Sequence, residues 1–183
     1  MTFPRSITRF AVAALTVAGA LVIPAVVQAA KSEDSAAVSK LLADTRAEAV
    51  ELTRDSADLD AFTNSRLSWQ TYASKAEMIK GHVNATGKLL AKLKDASSEA
   101  SAWQRTAIDR IEPLLRELAA NTETTIHQLN ENSNRVHFPA FRDYARTNYE
   151  LATQLETLIC NFVAYGESKD KFENLERTLE VSE

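Results

Sequence analysis

The side chains able to do chemistry are few and widely spaced. Histidine occurs at positions 82, 127 and 137, and cysteine only at position 160. A di-iron centre between helices would need Glu-x-x-His, so that carboxylate and imidazole project from one helix face. The residues three before each histidine are Ile79, Thr124 and Asn134, so no such pair exists. Glu123 and His127 stand one helical turn apart, but the heptad phase sends His127 outward. Covalent haem attachment requires two cysteines. Serine and threonine are plentiful, yet there is no Gly-x-Ser-x-Gly elbow and no Ser-x-x-Lys in a helix-opening context. Acidic pairs such as Glu48 with Glu51, or Glu173 with Glu176, read as solvated helix faces. The expectation is a chain that is not an enzyme and uses no metal and no cofactor.

Two features remain. Cys160 falls two residues after Leu158 and two before Phe162, both read as inward, which predicts an exposed thiol near Thr153 and Glu167. Such a thiol can link two chains, and the blander alternative is a partly covered, inert cysteine. The second feature is a cluster. Counting from the connections puts Phe62, Trp69, Tyr72, Phe138, Phe141 and Tyr144 at one end of a helical assembly. Just below them, Ala49, Ala76, Thr122, Thr125 and Asn148 fall at inward positions of similar height. The residues Trp69, Tyr72, Thr122, Thr125, Phe141, Tyr144 and Asn148 therefore outline a candidate small-ligand pocket. The alternative, ranked ahead of it, is an aromatic core end with a polar layer that sets helix register.

The elements positioning these residues are legible from apolar spacing. Ser35 is placed to cap a helix A whose inward residues are Val38, Leu42, Thr45, Ala49, Leu52, Ser56 and Leu59, at steps of four and three. After a connection at residues 63–66, Ser68 caps helix B. Its stripe is Trp69, Tyr72, Ala76, Ile79, Val83, Thr86, Leu90 and Leu93. That 3.5-residue period predicts supercoiled packing against partner helices. Residues 95–100 form the second connection, and Ser101 with Gln104 reads as a capping box. Helix C carries Ile108, Ile111, Leu115, Leu118, Thr122, Thr125, Leu129 and Val136, with Pro113 inside it as a site of bending. Residues 132–137 make the third connection, and Pro139 opens helix D. The inward residues of helix D are read as Phe141, Tyr144, Asn148, Leu151, Leu155, Leu158, Phe162 and Tyr165. Phe172, Leu175 and Leu179 continue a stripe beyond Gly166 as a C-terminal helical extension, about residues 167–181. Long helices with short connections give an all-α, antiparallel up-down-up-down four-helix bundle over residues 35–183.

Ahead of the bundle, Arg5 and Arg9 precede the apolar run from Phe10 to Ile23, Pro24 breaks it, and Val27-Gln28-Ala29 offers a processing site. These are the parts of a signal peptide, residues 1–29, followed by a polar linker at residues 30–34. Export to the periplasm or the extracellular space is expected, with no membrane span after cleavage. Removing Arg5 and Arg9 leaves 21 − 2 = 19 basic against 25 acidic residues, a net charge of −6. That balance disfavours nucleic acid as a partner.

The segments LSWQTYASKAEMIKGHVNATGKLL (residues 67–90) and WQRTAIDRIEPLLRELAANTETTI (residues 103–126) resemble a group of uncharacterised bacterial exported helical-bundle proteins. The resemblance implies the fold and brings no activity with it. The functional expectation is a non-enzymatic structural or protein-interaction bundle of the bacterial cell envelope, with an unknown protein partner and unknown oligomeric state. The alternative is a small-ligand binding or sensory module using the aromatic end and polar layer.

Overall fold

A computed structural model describes residues 33–132 and 139–179. The expected signal peptide and the positions Val136, His137 and Phe138 lie outside the described residues. Helix α1 (Ala36–Phe62) opens on Ser35, whose hydroxyl accepts from the Val38 amide at 3.4 Å. Helix α2 (Trp69–Asp95) opens on Ser68 in the same way, with the Thr71 amide at 3.3 Å. A short 3-10 turn (Ala96–Glu99) leads into α3 (Ala102–Glu131), and α4 spans Pro139–Leu179. Each cap satisfies an amide that would otherwise lack a partner in the first turn.

Each helix packs on its neighbours in sequence, and α1 closes the ring against α4. The short links make neighbours antiparallel, so the chain forms the expected up-down-up-down bundle. Helices α1 to α3 hold their expected phase. All seven inward positions of α1 are buried, as are seven of α2, with Trp69 half-buried. Helix α3 runs on through Pro113, and Ile108, Ile111, Leu115 and Leu118 stay buried on both sides of it.

Helix α4 departs from the expectation in two ways. Its buried residues are Phe141, Ala145, Asn148, Leu151, Ala152, Leu155, Ile159, Val163 and Gly166. The stripe thus moves one position C-terminal of that expected, from Leu158 to Ile159, Phe162 to Val163 and Tyr165 to Gly166. The shift takes the form of a straight helix's pitch, and the contacts of α4 with its partners select it. Consecutive steps of four from Leu155 to Ile159 to Val163 follow the 3.6-residue turn of a straight helix rather than the 3.5-residue heptad. Gly166 also has a steric reason to be glycine, since a Cβ there would lie 2.8 Å from the Trp103 ring.

The second departure is length. Helix α4 continues unbroken past Gly166 to Leu179, 41 residues against 27 in α1. At 1.5 Å per residue it is about 60 Å long, so its last turns overhang the bundle. Phe172, Leu175 and Leu179 on this overhang are 62 %, 58 % and 67 % exposed, and Tyr165 is 54 % exposed.

Candidate functional site

At the aromatic end, Tyr72 is fully buried and meets Phe141 edge-on, with ring centroids 5.6 Å apart. Its hydroxyl lies 2.7 Å from the Ser65 carbonyl and 3.0 Å from that of Phe62, tying α2 to the connection before it. Trp69 donates its indole N–H to the Leu129 carbonyl at the end of α3, 2.6 Å away. Tyr144 is half-buried, and its place on the seam is taken by Ala145. Its carbonyl accepts from the Asn121 side chain at 3.1 Å.

One turn further down, the structure brings together the three polar residues placed at one level from the sequence. Asn148 is fully buried; its Nδ2 donates to Thr125 Oγ1 at 2.8 Å, and its Oδ1 lies 2.9 Å from Thr122 Oγ1. Each threonine also reaches back to its own helix, to the carbonyls of Leu118 and Asn121, both at 2.8 Å. This layer supplies its own hydrogen-bond partners, as a register-setting layer must. Because both threonines keep a carbonyl acceptor, Asn148→Leu strands no buried hydroxyl and is expected to stay within about 1.5 kcal/mol of the parent. Asn148→Asp buries a carboxylate at the same place and should cost several kcal/mol. Urea melts of the two variants check this, and equal losses would refute the layer as drawn.

Cys160 is half-buried rather than exposed. The one-residue shift of the α4 stripe carries it from the outer face to the flank of the seam, beside Ile159. Burial first, and then the Glu156 carboxylate, push its thiol above the usual thiol range, with Arg46 opposing. A less ionised, half-covered thiol is a weak nucleophile. Native Cys160 should therefore react with a thiol reagent at pH 8 markedly more slowly than in denaturant, and equal rates would refute the placement.

Two polar clusters go beyond the sites expected from the sequence. Between α1 and α2, Lys75 bridges Asp55 at 3.1 Å and Asp58 at 3.0 Å, and the Asp55 side chain is only 2 % exposed. His82 sits beside it, with Nδ1 2.9 Å from Glu48 and Nε2 3.4 Å from Asp55. Both imidazole nitrogens thus face carboxylates of the chain itself. His127 faces Glu131 on the exposed side of α3. Among the described residues no group of His, Cys, Asp and Glu is arranged to hold a metal ion, and no helix is long and apolar enough to cross a membrane.

The second cluster joins three helices at the opposite end of the bundle. Gln104 is fully buried: its Oε1 accepts from the amides of Ser101 and Ser35, at 2.9 and 3.1 Å. Its Nε2 donates to the Ser35 carbonyl and to Ser39 Oγ, both at 2.9 Å. Beside it Asp34 accepts from the Trp103 indole at 2.8 Å and from Lys169 at 2.7 Å. Burial works to raise the Asp34 carboxyl, but these bonds, led by that from Lys169, hold it below its ordinary value. Trp103 stacks edge-on against Tyr165 with centroids 5.5 Å apart. The start of α1 is thereby clamped to the start of α3 and to α4 just before its overhang.

Comparison of the chain with protein-family models, curated proteins and solved structures finds no match. The coarse content of the resemblance drawn above, an all-α four-helix chain, is what the structure displays.

Proposed function

We propose that this protein is an exported, non-enzymatic helical bundle of the bacterial cell envelope that acts by binding protein. The observation carrying this reading is the overhang of α4. Its three large apolar residues recur at steps of three and four and are more than half exposed, on a helix clamped to the bundle just before them. An ordered apolar stripe of this kind marks an interaction surface rather than ordinary solvent-facing helix. The interior supports the same reading, because the indole of Trp69 and the hydroxyl of Tyr72 are bonded to backbone carbonyls and Asn148 to Thr122 and Thr125. Export rests on the basic, apolar and processing segments of residues 5–29.

The test is capture from envelope extracts with the parent protein and with Leu175→Asp as bait. Proteins retained by the parent and lost by the variant would sustain the reading, and identical captures would overturn it. Intact mass of the protein recovered from the envelope should begin at Ala30. A full-length chain in the membrane fraction would mean an uncleaved anchor.

A further inference from the structure

We infer that the protein recognised by the α4 overhang is a second copy of this chain, paired in parallel through α4. This rests on the protein-binding reading above and names its partner. Three observations point to it.

The first is direction. At about 100° per residue, Phe172, Leu175 and Leu179 stand about 120° to 180° around the axis from Gly166, the last residue buried against the bundle. The apolar stripe therefore faces away from its own bundle. Two bundles can flank a central pair of α4 helices without obstructing one another.

The second is the surface leading up to that stripe. On the same outward side, Gln154, Thr157, Asn161, Ala164 and Ser168 are all exposed and none is charged. Exposed helix faces elsewhere in the chain carry charge, as at Lys40 with Asp44 and Lys80 with Glu77. An uncharged face ending in an apolar stripe runs from residue 154 to residue 179, about 38 Å at 1.5 Å per residue. That is long enough for more than three heptads of pairing.

The third is charge. With Tyr165, Phe172 and Leu179 at heptad position a and Leu175 at d, Lys171 falls at g and Glu176 at e. They flank the stripe about 70° to either side of its centre. In a parallel pair, g of one helix meets e of the other five residues on, so Lys171 meets Glu176 of the second copy, twice by symmetry. The layers then match like with like, Phe172 on Phe172, Leu175 on Leu175 and Leu179 on Leu179. An antiparallel pair in the register that sets Phe172 against Leu175 would set Leu179 against Ser168. It would also ask Lys169 to serve Glu176 of the second copy, although Lys169 is already held by Asp34 at 2.7 Å.

Sedimentation of the protein expressed from its full coding sequence, at about 1 to 200 µM, tests the inference. The parent should sediment as a dimer in the upper part of that range. Leu175→Asp should raise the dissociation constant about a hundredfold with an unchanged circular dichroism spectrum, because Leu175 supports no part of its own bundle. Lys171→Glu should weaken the dimer about tenfold, and Lys171→Glu with Glu176→Lys should restore it. In a Cys160→Ser background, Leu175→Cys should oxidise to a covalent dimer; a dimer that does not cross-link would overturn the parallel register. A parent that stays monomeric throughout would overturn self-pairing altogether. In that event a Leu175→Asp bait that still loses captured proteins would leave the protein-binding reading standing, and an unaffected bait would remove both.

Discussion

Replacing Gln104 with alanine is expected to cost about 3 kcal/mol. The side chain is fully buried and makes four hydrogen bonds, two accepted and two donated. Alanine would leave the amides of Ser35 and Ser101 without their acceptor, and both are helix-cap amides with no carbonyl to replace it. It would also open a cavity at the junction of α1 and α3. Equilibrium unfolding in urea measures the loss. A cost under about 0.5 kcal/mol would mean that water replaces these bonds readily, and the clamp would have to be redrawn. Gln104→Glu is a sharper probe at neutral pH, because a carboxylate keeps the two accepted bonds and loses the two donated ones.

The second large effect belongs to Lys75. Lys75→Met should destabilise by about 3 kcal/mol, since it leaves the Asp55 carboxylate buried without its cation. The double variant Lys75→Met with Asp55→Leu should recover most of that loss, because an apolar pair of similar volume carries no desolvation penalty. The bond between His82 and Glu48 survives in both. A double variant no better than the single one would show that Asp55 is held by His82 rather than by Lys75. The pH dependence has a definite sign. Burial works to lower the Lys75 pKa, but the bonds to Asp58 and Asp55 outweigh it and raise it above 10.5. Its contribution is therefore fully present below pH 10.5 and fades as pH rises through the higher folded value. Asp34 behaves oppositely: its contribution is present above its ordinary 3.8 and is lost as pH falls through the depressed folded value.

Part of this polar architecture is legible in the amino-acid order. The facing pairs between α1 and α2 have a spacing signature: Glu48 and Asp55 are seven apart on one helix, and Lys75 and His82 are seven apart on the next. Opposite charges at one heptad flank of two antiparallel neighbours are the signal for such a ladder. The polar layer is legible because Thr122, Thr125 and Asn148 lie about equally far from one short connection, and counting along a helix preserves height. The double role of Gln104 is not. Its capping part is local, three residues from Ser101, while its bonds to Ser35 and Ser39 span more than sixty residues.

The sequence by itself determined the number of helices, their caps, their antiparallel order and the buried faces of α1, α2 and α3. These follow from apolar spacing and from Ser35, Ser68 and the pair of Ser101 with Gln104, which act within a turn of themselves. Only the tertiary structure decided the rotation of α4. Along that helix two apolar stripes diverge, one through Leu158, Phe162 and Tyr165, the other through Ile159, Val163 and Gly166. Periodicity alone cannot choose between them, because both contain enough apolar side chains to pack. The choice falls to the partners, since the Trp103 ring needs the space that only Gly166 leaves, and Lys169 reaches Asp34 only in that rotation. Turning α4 this way covers half of Cys160 and faces Phe172, Leu175 and Leu179 away from the bundle, because a rigid helix must carry its distal residues round with its core.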